Sequence, residues 1–248
     1  MTARLAKTIC SLAAVALTTA CGSYSEIAIE TPIRPTLDVS GFQRVFVAGF
    51  VSGGSEDVDG NLETTRLLRS QLRTKSALRV IDADSLPLQD VATEGRASDQ
   101  TPPAVVKDEK DLDAYSNLFA NVEYWKKIGE EYQQPLIVTG TVLFIPHQRN
   151  SIVQREDEVY DSFGRRRVVP VRTYQERKGF VLSPKFIFID GRTGTVMHST
   201  TAREEILYNA NQATPALSSY FELMDRVIPS FLSTLSSQKI KGTRILLQ

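Results

Sequence analysis

Residues 136–145 read LIVTGTVLFI. Apart from Thr139, Gly140 and Thr141, every position is a large aliphatic or aromatic residue, and Pro135 closes the run in front. An apolar, β-branched run of this length bounded by a breaker predicts a strand, the most buried-looking one in the chain. Working outward from it decides the fold.

On its N-terminal side, Leu118, Val122, Trp125, Ile128 and Tyr132 recur at offsets of 4, 3, 3 and 4. This is the stripe of a helix that Pro135 stops. Before it, Ala83–Asp113 is rich in Asp, Pro, Ser and Thr and predicts a long surface loop. LRVID at 78–82 reads as a strand, and RVFVAGF at 44–50 as a buried one. Between these two strands, Leu62, Thr65, Leu68 and Leu72 give a helix over 62–75, preceded by the turn VSGGSEDVDGN. On the C-terminal side, FVLSPKFIFID at 180–190 is a strand. The turn GRTG and a hairpin partner at 195–202 follow it. Leu217, Phe221, Met224, Ile228, Leu232 and Leu235 trace a core-facing helix over 214–235, with Pro229 as a kink point, and a short strand is expected at 243–247. The order is β-α-β-α-β, an insertion at 146–178, then β-β-α. It predicts an α/β (α+β) fold, a mixed sheet with helices packed on it.

The termini add two segments. Arg4 and Lys7 precede the apolar run Ile9–Ala20, which is shorter than the roughly 20 residues a transmembrane helix needs and suits a signal peptide over residues 1–20. Leu17-Thr18-Thr19-Ala20-Cys21-Gly22 then resembles a bacterial lipobox, with Thr18 where leucine is usual. The resemblance implies acylation (palmitate) at Cys21, and Gly22 in place of aspartate implies the outer membrane, lipid-anchored, on its periplasmic face. Residues 21–42, with Pro32 and Pro35 and no periodicity, read as a tether, leaving 43–248 as one domain.

Composition excludes several functions. The chain carries 29 basic and 29 acidic residues, so no net field draws it to nucleic acid. Beyond Cys10, which lies in the signal, and Cys21, it has no cysteine, hence no internal disulfide, thiol nucleophile or thiolate metal site. His147 and His198, the only histidines, have no metal-pair spacing. Asp57, Asp59 and Gly60 weakly suggest a calcium loop, but Arg66 stands where the bidentate acid belongs. No nucleophile elbow or phosphate-binding loop occurs. A non-enzymatic protein with no cofactor and no metal is expected.

Phe50, Arg79–Asp82, Pro135–Gly140 and Asp190-Gly191-Arg192-Thr193-Gly194, in this order, resemble the periplasmic domain of the curli secretion channel lipoprotein and its relatives, the TolB N-terminal-like domains. The resemblance implies an α/β sandwich without catalysis, often assembled into rings, that serves envelope biogenesis or export. A monomeric periplasmic module that regulates a cell-wall or envelope enzyme is the alternative reading. The channel's second membrane hairpin has no counterpart here, because the corresponding REEILYNANQATPA is too short to span a bilayer.

The 146–178 insertion contains YDSFGRRRVVPVRTYQERK at 160–178. Alternation along 165–174 gives no clean apolar face, and arginine at mid-bilayer costs about 2–4 kcal/mol, so a lipid-facing hairpin is excluded. What remains is a polar β-hairpin pairing 151–160 with 166–175 about a turn at 161–164. Acids on one arm face arginines on the other, and Pro170 marks a free edge. The candidate partner-binding residues are Tyr160, Arg165, Arg166, Arg167, Arg172 and Tyr174, and the partner is a neighbouring subunit or another envelope protein.

Overall fold

The structure is a computed structural model that describes residues 24–94, 106–160, 162–209, 211–212 and 214–247. The signal peptide and Cys21 lie outside the described residues. In chain order the elements are β1 (Tyr24–Ile33), β2 (Arg44–Gly54), α1 (Gly60–Lys75), β3 (Arg79–Val80), α2 (Leu88–Glu94), α3 (Glu109–Asp113), α4 (Ser116–Phe119), α5 (Val122–Glu131), β4 (Leu136–Tyr160), β5 (Arg166–Asp190), β6 (Val196–Thr201), β7 (Glu204–Asn209), α6 (Ala216–Leu235) and β8 (Gln238–Leu247). The chain divides into two compact units, Pro35–Ser236 and the remainder, whose described part is β1 with β8.

The larger unit is built on a mixed sheet of order β3-β2-β4-β5-β6, with β7 also on β5. β2 runs parallel to β3 and β4, and the other pairs are antiparallel. The continuous apolar run of β4 has a direct cause, because the sheet is covered on both faces. Leu136, Val138, Val142 and Phe144 pack with α1 and α6, against Leu68, Leu72, Tyr220, Leu223 and Phe231. Ile137 and Leu143 point the other way, into a second cluster with Trp125, Phe119 and Tyr115.

Asp59 caps α1, its carboxylate accepting from the Leu62 N–H at 2.9 Å. This is the role of the Asp57–Gly60 loop, a helix start. Inside the first core, the Thr64 and Tyr220 hydroxyls share a hydrogen bond of 2.5 Å, and Tyr220 donates to the Gly60 carbonyl at 3.2 Å, joining α1 to α6.

Several expectations are corrected. The segment 83–113 is no plain surface loop: it contains α2 and α3, and Leu88, Val106 and Leu112 are buried in the second core. The stripe over 118–132 forms two helices, broken before Asn121, whose side chain caps α5 through the Tyr124 N–H. Leu217 and Leu62 sit on the expected stripes but are 44% and 46% exposed. Residues 24–33, read as part of an aperiodic tether, form β1, which pairs along its whole length with β8. β8 is twice as long as the expected 243–247 strand. β7 lies in REEILYNANQATPA, where no strand was expected.

Candidate functional site

The most distinctive feature of the larger unit follows from the length of β4 and β5, 25 residues each. Their antiparallel register runs without a shift from Leu136↔Asp190 to Tyr160↔Arg166. β2 leaves β4 at Phe144, and β7 leaves β5 at Arg177. From residues 150 and 176 outward the two strands pair only with each other, as a two-stranded arm of about 35 Å. The expected hairpin over 151–160 and 166–175 is therefore present, and it continues the core strands. Asp161 lies outside the described residues.

Because side chains alternate along a strand, the register sorts the arm's residues into faces. Tyr160, Glu158, Glu156, Gln154 and Ile152 share one face with their partners Arg166, Val168, Pro170, Arg172 and Tyr174. Four of the six candidate residues, Tyr160, Arg166, Arg172 and Tyr174, thus fall on a single face. Arg167 lies on the opposite face beside Val159, and Arg165 lies in the turn with its guanidinium 5.3 Å from the centre of the Phe163 ring. The sequence reading missed Ile152, which stands opposite Tyr174. Ile152, Tyr174 and Tyr160 are 72%, 63% and 65% exposed. Acids and arginines do not stand directly opposite one another, since Glu158 faces Val168 and Asp157 faces Val169. The charge contact is diagonal instead, with Arg166 3.2 Å from Glu158.

At the arm's root a cleft of about 530 Å³ opens between Pro146, Phe180 and Tyr208 on the sheet and Gln212 and Thr214 before α6. Phe180 stacks on the buried Phe144, and the Tyr208 hydroxyl donates to Glu222 at 3.0 Å. On the other side of the sheet, His147 and Arg149 lie 3.4 and 3.5 Å from the Glu205 carboxylate. His198 stacks on Phe188, so the two histidines serve different strands. Among the described residues no group of three His, Cys, Asp or Glu is placed to hold a metal ion. No helix among them is long and apolar enough to cross a membrane.

The DGRTG motif closes the hairpin between β5 and β6. Asp190 accepts from the Arg192 backbone N–H at 2.8 Å and from its guanidinium at 3.0 and 2.9 Å. The Gly194 N–H donates to the Asp190 carbonyl at 2.7 Å. Gly194 has φ +76°, a conformation that side chains disfavour, and it lies against the Val122 carbonyl of α5. The Arg192 guanidinium sits 4.5 Å from the centre of the Phe42 ring. Burial alone would raise the Asp190 pKa, but these hydrogen bonds and the guanidinium charge outweigh it and hold the carboxyl below its usual range. The Asp190 hydrogen bonds thus serve the closure of the turn itself.

No family model matches the chain, and no curated protein does. Among solved structures, the chain is similar to the lipoprotein GNA1162 of Neisseria meningitidis, with 13% identity and a TM-score of 0.35, over 76% of this chain and 96% of that one. It is also similar to a putative neuraminyllactose-binding hemagglutinin homolog of Helicobacter pylori, with 10% identity and a TM-score of 0.38, over 82% and 88%. A PDZ domain protein of Parabacteroides distasonis gives 11% identity and a TM-score of 0.25, over 90% and 39%. At these scores no functional statement rests on them.

Proposed function

We propose that the chain is a non-enzymatic envelope lipoprotein, anchored through Cys21 to the periplasmic face of the outer membrane, that acts as a structural or assembly component by engaging a protein partner with its β-arm. The observation that carries this reading is the mixed face of Ile152, Tyr160, Arg166, Arg172 and Tyr174, displayed on an arm whose strands are rooted in the core sheet. Tyrosine and arginine are the residue types enriched at the energetic centres of protein interfaces. A two-stranded ribbon continuous with the core strands presents them in one fixed register. A second copy of the chain is the partner that a ring-forming, curli-channel-like assembly requires.

The test replaces residues 152–176 by a short Gly-Ser linker in the whole chain. Particle mass is then read by light scattering, and envelope partners are read by crosslinking in intact cells. A large discrete mass that collapses to the monomer on replacement supports the assembly reading. A monomeric parent that loses a crosslinked envelope protein on replacement would indicate the regulatory module instead. Unchanged mass and unchanged crosslinks would sink both.

A further inference from the structure

β1 and β8 pair residue for residue, from Tyr24↔Leu247 to Ile33↔Gln238, as a two-stranded ribbon. Alternation puts Ile27, Ile29, Thr31 and Ile33 on one face and Glu26, Ala28, Glu30 and Pro32 on the other. The three isoleucines are 45%, 37% and 44% exposed. Ile29 stands opposite Gly242, which has no side chain to cover it. A two-stranded ribbon is marginal in water unless something covers its apolar face.

The ribbon's place in the chain names what covers it. Tyr24 is three positions after Cys21, so with Cys21 acylated the first residue of β1 lies within about 10 Å of the lipid surface. We infer that the β1/β8 ribbon lies on the bilayer interface with its isoleucine face toward lipid, as a second membrane contact beside the acyl anchor. This rests on the lipid-anchor reading of Cys21.

The test uses the whole chain, purified from membranes and reconstituted into vesicles of phosphatidylethanolamine and phosphatidylglycerol. Intact mass reports acylation at Cys21 by itself, so failure of the anchor reading is seen separately. In an Ile29→Trp variant, lipid-borne spin labels at headgroup depth should reduce the added fluorescence at least about twofold, as for a residue at the interface. The chain's own tryptophan, Trp125, is fully buried and gives the unquenched reference. The comparison is repeated on the Cys21→Ser chain mixed with the same vesicles, where quenching should persist at higher lipid concentration. An acylated chain whose residue 29 is not quenched overturns the inference. So does an Ile27→Cys chain that forms a disulfide between copies in the vesicles, which would assign the face to a second copy.

Discussion

The carbonyl of Gly191 occupies the space that a β-carbon on Gly129 would fill. The turn after β5 and helix α5 therefore meet backbone to backbone, and the Gly191 N–H donates to the Pro135 carbonyl at 3.0 Å beside the contact. Gly129→Ala should destabilise the fold by about 1–3 kcal/mol, the cost of forcing atoms into a packed site. Urea unfolding checks this, and an unchanged midpoint would show that the two elements can separate freely.

Asp190 gives a pH dependence with a definite sign. Its folded pKa is depressed, with burial opposed and outweighed by the Arg192 hydrogen bonds. The stabilisation is therefore fully present above the unfolded value of about 3.9 and is lost as pH falls through the lower folded value. Asp190→Asn should lower the melting temperature at neutral pH and flatten its decline below about pH 4 relative to the parent. Parallel parent and variant curves across that range would contradict this.

Tyr220 and Thr64 are fully buried and share a hydrogen bond between α6 and α1. Tyr220→Phe removes the hydroxyl and leaves the Thr64 hydroxyl its bond to the Gly60 carbonyl. The expected loss is about 1–2 kcal/mol, because the hydroxyl's contacts to Thr64 and to the Gly60 carbonyl both go. A calorimetric melt reads it, and a loss several times larger would indicate repacking of the ring.

The arm should be separable from the fold. None of residues 152–160 or 166–168 is buried, and both cores lie elsewhere. Joining residues 151 and 177 by a short linker should leave stability within about 1 kcal/mol of the parent. Arg166→Glu and Arg172→Glu together should change stability by about 0.5 kcal/mol or less, because the Arg166–Glu158 pair is exposed. The same double variant should abolish partner crosslinking.

The sandwich was legible because its signals are local. β4 and β5 carry largely apolar runs where the sheet is covered on both faces, and α1, α5 and α6 carry stripes. The arm and its turn were legible from the Phe163-Gly164 breaker and the strand alternation around it, but the facing of its charges was not, because the acids expected opposite arginines stand opposite valines and proline. Two kinds of element were not. β1 finds its partner more than 200 positions away, and nothing in YSEIAIETPI announces an interaction of that range. Leu88, Val106 and Leu112 enter the second core singly from a polar segment, without the periodicity that marks a helix stripe. Ile152 escaped notice as a site residue because only the full register reveals that it faces Tyr174.

β4 and β5 run without interruption from the buried sheet to the arm, and this has a mechanical meaning. Force applied at the tip is carried along two continuous backbones rather than absorbed by a hinge. At the root, a pull along the strands loads β4 against β2, and β5 against β6 and β7, sideways, so many ladder bonds must yield together instead of one after another. The arm is thus suited to bearing tension between the body and whatever grips its end.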